Sequence, residues 1–272
     1  MMRMLAALFM LAGFAHGQDD AKKQAEKEAE AKAKEKIDAF KSTLKKAKTN
    51  DDYIGALQGL GDTQHILILN ELKIWLGKPQ PEIRQAAAEE IGKFKGDEKA
   101  AAALMAMAKN DKSLDVSVKC LLEIGKIGCK KTAKELTGFF GRKEWEIARE
   151  AVDSCATIKS KTAIPALINF LEDLETEKER IKQAQQSQQA GGGGGGGGLP
   201  GGGLPGGAAS GSGNSDLPDR QKRVDELIPR VVQALKDITD EKLNTAKEWR
   251  KYEQKNRSFF KDDEDPKKDE KK

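Results

Sequence analysis

The sequence predicts an all-α protein, an α-solenoid of about five helical hairpins that stack on one another. The main observation is a helical phrase that recurs between Ile83 and Leu171, at Ile83–Phe94, Val116–Ile127 and Ile147–Ile158. Repetition at a fixed period is typical of stacked-repeat folds. The abundance of Ala, Glu, Lys, Leu and Arg favours helices over sheets.

Residues 1–17 have the pattern of a secretory signal peptide. Arg3 precedes an apolar run, Met4–Ala15, and the small residues Ala15 and Gly17 form a cleavage motif. Retention as an anchor is the alternative, although a membrane-spanning helix needs about 20 apolar residues. We therefore expect an exported protein (periplasm, cell envelope or secreted) that is cleaved after Gly17 and has no integral membrane span.

Residues 18–36 form a charged lead to the repeats. They are rich in Lys, Glu, Ala and Gln and show no apolar stripe. Such a segment has nothing to bury, so we predict a solvated and partly disordered stretch.

Helical periodicity begins at Ile37 and predicts repeats over residues 37–189. In the first hairpin, residues 37–60, Thr49, Asn50 and Asp51 offer N-cap oxygens to the second helix. The next pair comprises His65–Leu76 and Pro81–Phe94. The corresponding helix ends, Leu60, Phe94, Ile127 and Ile158, are about 31 to 34 residues apart, a period typical of helix-pair solenoids. Each hairpin leaves apolar surface on both sides, which its neighbours are expected to cover.

The phrase Glu82–Gly92 resembles the inner-helix motif of HEAT repeats, particularly the short form of phycobilisome-lyase-like HEAT proteins. It contains a turn acid, the pair Ile83-Arg84, small residues and an aliphatic-Gly end. Lys161–Leu167 is similar to the outer-helix phrase of the same family. The resemblance covers about residues 37–238 and implies a HEAT-type solenoid whose inner helices line a concave face. The chain departs from the family's ladder of arginines, because Ser117, Ala148 and Ile228 stand at the positions that correspond to Arg84.

A glycine-rich stretch over residues 190–216 predicts a flexible loop. It is either a linker between domains or an insertion inside the last repeat. We favour the insertion, because the apolar stripe beyond it reproduces the stripe of Ile83–Phe94. The stripe consists of Leu227, Val231, Leu235 and Ile238.

Residues 217–258 are predicted to contain the last inner helix and a capping helix. Thr245–Glu248 has the pattern of a capping box, and Trp249 and Tyr252 would cover the open end of the stack. The phrase that begins at Trp249 is also similar to the closing segment of many exported bacterial HEAT proteins. Residues 259–272 alternate blocks of both charges and are predicted to be a disordered tail.

Three cysteines are present, Cys120, Cys129 and Cys155. Cys120 and Cys155 fall on apolar helix stripes, where cysteine behaves as a small hydrophobic residue. We therefore favour free buried thiols, with a Cys120–Cys155 disulfide as the alternative.

The sequence predicts no catalytic, cofactor or metal site, and no cofactor. His65, the one histidine after the predicted cleavage, starts an apolar helix, and we interpret it as a helix-start residue rather than a catalytic base. Cys/His metal motifs are missing, and the glycine tract lacks the Gly-Lys-Ser/Thr ending of a phosphate loop. The acidic block Asp262–Asp265 lacks the spacing of a calcium loop.

The 48 basic and 44 acidic residues are interspersed, which disfavours nucleic-acid binding. A protein partner is expected instead, at solvent-facing positions of the inner helices. These positions are Glu89, Lys119, Glu123, Glu150 and Asp153. They lean acidic and favour a basic or polar partner, although an ordinary solvated face is the alternative.

The sequence thus predicts a monomeric, exported, non-catalytic scaffold for protein–protein interaction, whose protein partner is unknown. Two alternatives stay open. One is a lyase-type enzyme of the phycobilisome-lyase-like group, and the other is a structural component of the cell envelope.

Overall fold

The computed structural model describes residues 5–191 and 216–256, and it describes side chains for residues 21–187 and 216–256. Within these ranges every regular element is helical, so the all-α prediction is confirmed. The chain divides into two compact units, residues 1–127 and 128–272.

The first unit contains three helix pairs. The helices are α1 (Leu5–Leu44), α2 (Asn50–Leu57), α3 (Ile66–Leu76), α4 (Pro81–Ile91), α5 (Glu98–Asn110) and α6 (Leu114–Ile127). Within the pairs α1 packs on α2, α3 on α4, and α5 on α6. The second helix of each pair, called the inner helix below, also contacts its counterpart in the next pair, because α4 packs against both α2 and α6.

Local sequence explains where several of these helices begin. Among the predicted N-cap residues, Thr49 caps α2: its side chain accepts a hydrogen bond from the backbone of Asp52 in a complete capping box. Pro81 opens α4, where its missing N–H costs nothing, and Asp97 caps α5 by accepting from Ala100. α4 ends at Ile91, three residues before the predicted end at Phe94, since the chain leaves the helix at Gly92.

The core of the first unit lies between the helix pairs. Its fully buried side chains include Leu69 and Leu72 on α3, Ile91 on α4 and Ile124 on α6. Burying one such side chain contributes about 1.5–3 kcal/mol. The stability of each pair therefore depends on the pair beside it.

Residues 21–36 belong to α1 and are exposed or half-exposed, except for Ala33, which is fully buried. Lys36 donates a hydrogen bond to the carbonyl of Gly59 at 2.7 Å. The side chains of the first 20 residues lie outside the described part of the chain, so the signal peptide stays a prediction.

The second unit contains two helix pairs and a final helix. The helices are α7 (Ala133–Leu136), α8 (Trp145–Ile158), α9 (Ile164–Gly191), α10 (Leu217–Thr239) and α11 (Ala246–Lys255). Short 3-10 segments flank α7 at Lys130–Thr132 and Thr137–Phe139 and precede α9 at Lys161–Ala163. α7 packs on α8, and α9 on α10. With the first unit this makes five pairs among the described residues, as the sequence predicts.

α10 packs against both α9 and α8, as the inner helix of a last repeat would. Its predicted stripe is buried at Leu227, Val231, Leu235 and Ile238. The glycine-rich stretch itself falls mainly on residues 192–215, outside the described part of the chain, so the insertion stays a prediction. The charged tail over residues 259–272 also lies outside it.

α11 is the predicted capping helix. Thr245 and Glu248 form the capping box, and α11 packs on α9. Trp249 is fully buried, and its ring meets that of Tyr252 edge-on at 5.8 Å. The described cysteines Cys120, Cys129 and Cys155 are free and buried, which confirms the favoured prediction.

Candidate functional site

The motif Glu-Ile-Gly-Lys stands at the C-terminal ends of two successive inner helices, at residues 90–93, where α4 ends, and at residues 123–126 of α6. In both copies the glutamate and the isoleucine are buried. The two lysines are exposed enough to reach solvent, with side chains that are 36% and 46% accessible. Each copy thus holds a buried carboxylate beneath an accessible ammonium group.

A glycine in the preceding repeat makes room for each buried glutamate. A Cβ atom on Gly61 would lie 2.1 Å from the backbone oxygen of Glu90, and a Cβ atom on Gly92 would lie 2.1 Å from Oε2 of Glu123. Neither distance is sterically possible. The ends of successive inner helices can therefore approach this closely only because both positions are glycine.

Glu90 binds the turn that follows α2. Its Oε1 accepts a hydrogen bond from the N–H of Gly59 at 3.1 Å, and its Oε2 accepts from the N–H of Gly61 at 2.7 Å. Lys93 donates to Oε1 at 2.8 Å and also pairs with Asp62 at 2.9 Å. Charge-assisted bonds of this kind offset the cost of burying the carboxylate.

Glu123 is neutralised by two lysines of its own helix. The Nζ atoms of Lys126 and Lys119 lie 2.9 Å and 3.2 Å from its Oε1. Lys119 also lies 2.8 Å from Oε2 of Glu89 on α4, so it joins one inner helix to the next. Burial lowers the pKa of Lys119, but its hydrogen bonds with Glu89 and Glu123 and the attraction of their charges together outweigh burial and raise the pKa overall.

The sequence predicts that all five candidate partner residues face solvent, and for Glu123 this prediction is wrong. Glu123 is 1% exposed, because its carboxylate occupies the space that Gly92 leaves on α4. Glu89 is exposed on α4, and Lys119 is half-buried on α6. The first unit therefore brings Glu89, Lys119 and Glu123 together through Lys119.

The other two candidates belong to the second unit. Glu150 and Asp153 are half-buried on α8. Asp153 accepts a hydrogen bond from Arg230 of α10 at 3.3 Å. Burial outweighs the attraction of Arg230 and raises the pKa of Asp153.

We name the charged residues at the inner-helix ends of the first unit the ladder surface. They are Asp62, Glu89, Glu90, Lys93, Lys119, Glu123 and Lys126. Sequence reasoning missed Asp62, Glu90, Lys93 and Lys126. The recurrence of Glu-Ile-Gly-Lys after 33 residues is the signal that could have revealed three of them.

Arg84 makes a separate connection between repeats. Its Nε and Nη2 donate to the two carboxylate oxygens of Asp111 at 2.7 Å each, and its Nη1 donates to the carbonyls of Lys78 and Pro79. The side chains of Arg84 and Asp111 are 11% and 3% accessible. This guanidinium therefore fixes the turn before α4 to the turn before α6.

In the described part of the chain, His65, Cys120 and Cys155 occupy structural positions. His65 caps α3 by accepting a hydrogen bond from the N–H of Leu67, which confirms its interpretation as a helix-start residue. Burial raises the pKa of the Cys120 and Cys155 thiols to about 12, so both are protonated at neutral pH. Among the described residues, no three His, Cys, Asp or Glu side chains are grouped to hold a metal ion.

Comparison with protein families agrees with this repeat geometry. The model of HEAT repeats matches residues 37–117, and the model of the PBS lyase HEAT-like repeat matches residues 147–173. The chain carries HEAT repeats. In this HEAT-repeat protein the first match begins within α1 and ends within α6, and the second covers α8 and the start of α9. A comparison with curated proteins finds no match.

No helix in the described part of this HEAT-repeat protein combines the length and the apolar character that crossing a membrane requires.

Proposed function

We propose that this HEAT-repeat protein is an exported, monomeric and non-catalytic scaffold that binds a protein partner through the ladder surface. The observation that carries the proposal is the bridge from Lys119 to both Glu89 and Glu123. It links the charged groups of successive repeats into one fixed array. Repeat proteins of stacked helix pairs commonly bind partners along such surfaces.

The array is prearranged for binding. Buried Glu90 and Glu123 hold the ammonium groups of Lys93, Lys119 and Lys126 in place, so these side chains have less conformational freedom to lose when a partner binds. Asp62 and Glu89 are the most exposed members, with side chains that are 61% and 56% accessible. A shallow groove of about 400 Å³ runs between these groups.

The ion pairs also bear on the chemistry of the partner. The sequence leaves a basic and a polar partner open. Each exposed acid of the ladder surface is paired with a lysine, so the positive and negative charges of the surface nearly cancel. We therefore favour a polar partner segment that carries both signs of charge, since alternating charges give specificity more than bulk affinity.

Affinity purification from the compartment in which the protein resides tests the proposal. Glu89→Lys reverses an exposed charge of the ladder surface and breaks the pair with Lys119. Asp38→Lys is the matched control, because it makes the same change at an exposed position of α1. We expect Glu89→Lys to lower the affinity for the recovered partner by about tenfold, which is about 1.4 kcal/mol, and Asp38→Lys to leave it unchanged. Equal partner recovery with both variants would remove the ladder surface as the binding site.

Export has its own test. The mass of the chain purified from the native host is expected to correspond to a first residue at Gln18. A mass that retains residues 1–17 would contradict cleavage, and recovery from the cytoplasm alone would contradict export.

A lyase-type enzyme is the second candidate, favoured by the match of residues 147–173 to the PBS lyase HEAT-like repeat. A fold can carry many functions, so the match alone does not assign this one. The purified protein would be incubated with a bilin chromophore and a candidate acceptor polypeptide. A covalent mass increase of the acceptor that requires the protein would establish the enzyme and overturn the non-catalytic proposal.

A further inference from the structure

The second unit contains a cavity of about 610 Å³. It is bordered by the turn Thr137–Gly141, by residues 166–180 of α9 and by the first turns of α10. This volume lies within the range of about 300–1,000 Å³ that is typical of small-molecule sites. None of its lining residues takes part in the ladder surface.

The floor of the cavity is apolar. The rings of Phe140 and Phe170 stack with their centroids 5.2 Å apart and their planes 20° from parallel. Leu174 and Val224 support this floor from behind, and both are buried. Phe140 and Phe170 are 4% and 8% exposed, so an apolar group would contact the part of each ring that faces the cavity.

Three arginines stand around the floor: Arg180, Arg220 and Arg223. Glu177 engages two of them, because it accepts from Nε of Arg220 at 2.5 Å and lies 3.9 Å from Nη1 of Arg180. Asp173 also lines the cavity and is exposed. The lining therefore carries one more positive charge than negative.

Arg223 differs from the other two arginines. It makes one hydrogen bond with the described residues, from Nη2 to the carbonyl oxygen of Phe140 at 3.2 Å, and it forms no ion pair with any of them. Its Nε is buried without a hydrogen-bond partner. Since Nε is closed to solvent, a ligand in the cavity would reach this guanidinium at its Nη groups, of which Nη1 makes no hydrogen bond with the described residues.

We propose that this cavity binds a small molecule with an apolar body and a carboxylate group. The apolar body lies on Phe140 and Phe170, and the carboxylate pairs with the guanidinium of Arg223. A carboxylate matches the planar donors of arginine in a bidentate pair, which an ammonium ion or a neutral amide cannot do. The proposal is independent of partner binding at the ladder surface.

Calorimetric titration of the full chain with 4-phenylbutyrate tests the proposal, since this probe has a phenyl body and one carboxylate. 4-Phenylbutanamide has the same body without the charge, and inorganic phosphate has charge without the body. We expect saturable binding of the acid and at least about tenfold weaker binding of both comparison molecules. Binding of the amide as tight as that of the acid, or no saturation by the acid up to about 10 mM, would overturn the proposal.

Variants locate the site. Arg223→Gln is expected to weaken binding of 4-phenylbutyrate by at least about tenfold. Arg230→Gln is the matched control, because it removes an arginine of the same helix that does not line the cavity, and it should change affinity less than about twofold. Arg223→Lys keeps the charge and should bind with intermediate affinity, with folding of each variant checked by circular dichroism. Unchanged binding by folded Arg223→Gln or folded Arg223→Lys would contradict the assigned role of Arg223.

Discussion

The Nζ atom of Lys119 lies 2.8 Å from Oε2 of Glu89, and this ion pair joins α6 to α4, the inner helices of two successive repeats. The same ammonium group lies 3.2 Å from the buried carboxylate of Glu123. One lysine thus links an exposed acid of one repeat to a buried acid of the next. The ladder surface consequently depends on the packing between repeats and not on either helix alone.

Replacing Lys119 by methionine removes its charge and keeps most of its length. The change leaves the buried carboxylate of Glu123 with Lys126 as its one remaining lysine. We expect a loss of about 1–3 kcal/mol in the free energy of unfolding, because a buried charge loses part of its compensation. Glu89→Gln, which affects an exposed carboxylate, should cost about 0–1 kcal/mol. Urea denaturation measures both, and equal costs would show that Glu123 does not depend on Lys119.

Gly92→Ala introduces a Cβ atom in the space that Glu123 fills. The backbone of Gly92 is right-handed helical, with φ of −59°, so alanine is strained there by contacts and not by its own conformation. We expect a loss of about 1–3 kcal/mol in the free energy of unfolding. Gly55→Ala is the matched control within α2, where a Cβ atom meets nothing within 4 Å. It should stabilise by about 0.5–1 kcal/mol through helix propensity, and a cost as large as that of Gly92→Ala would contradict the steric explanation.

The pair of Arg84 and Asp111 predicts a stability change at acid pH. Burial alone raises the pKa of Asp111, but its hydrogen bonds with Arg84 and nearby backbone groups and the positive charge of Arg84 together outweigh burial and hold the pKa below the ordinary value of 3.8. The stabilisation is therefore present above that ordinary value and is lost as the pH falls through the lowered pKa of the folded state.

Arg84→Met removes the guanidinium, so its destabilising effect should be large at pH 7 and should shrink below about pH 4. Urea denaturation across this pH range measures the difference from the unsubstituted chain. If Arg84→Met lowered the free energy of unfolding by the same amount at pH 7 and below about pH 4, the result would contradict the ion pair.

The three buried thiols should resist modification in the native protein. Burial raises the pKa of Cys120 and Cys155 to about 12, and the thiolate is the reactive form. With the thiol reagent DTNB at pH 8, we expect slow labelling without denaturant and labelling of all three cysteines in urea. Rapid labelling of Cys120 or Cys155 in the native state would contradict their burial, and incomplete labelling in urea would indicate a disulfide.

Much of the fold can be predicted from local sequence. The stripe of Leu227, Val231 and Leu235 indicates an inner helix, and Thr49 and Thr245 mark helix starts that the structure shows as complete capping boxes. These features follow from helical periodicity and from hydrogen bonds within a few residues. They do not require knowledge of which helices meet.

The candidate sites depend on contacts between distant residues, and for that reason the sequence reveals them only in part. When α6 is considered alone, Glu123 lies on the face that is expected to point to solvent. Gly92, at the end of α4, has no side chain, and Glu123 is buried in the space that this leaves. Arg223 reaches the carbonyl of Phe140 across 83 positions of the chain. The recurrence of Glu-Ile-Gly-Lys marks Gly92 and Glu123 without showing that they meet, and the contact of Arg223 leaves no periodic signal in the sequence.

The close fit of Gly92 against Glu123 is tested most directly by a double-mutant cycle in urea denaturation, with Gly92→Ala, Glu123→Gly and the double variant. Glycine at position 123 also removes the Cβ of Glu123, which would lie 2.9 Å from a Cβ on residue 92. We predict that Gly92→Ala costs about 1–3 kcal/mol in the unsubstituted chain and less than about 0.5 kcal/mol when position 123 is already glycine. The same cost in both backgrounds would contradict the stacking of inner helices on which the ladder surface depends.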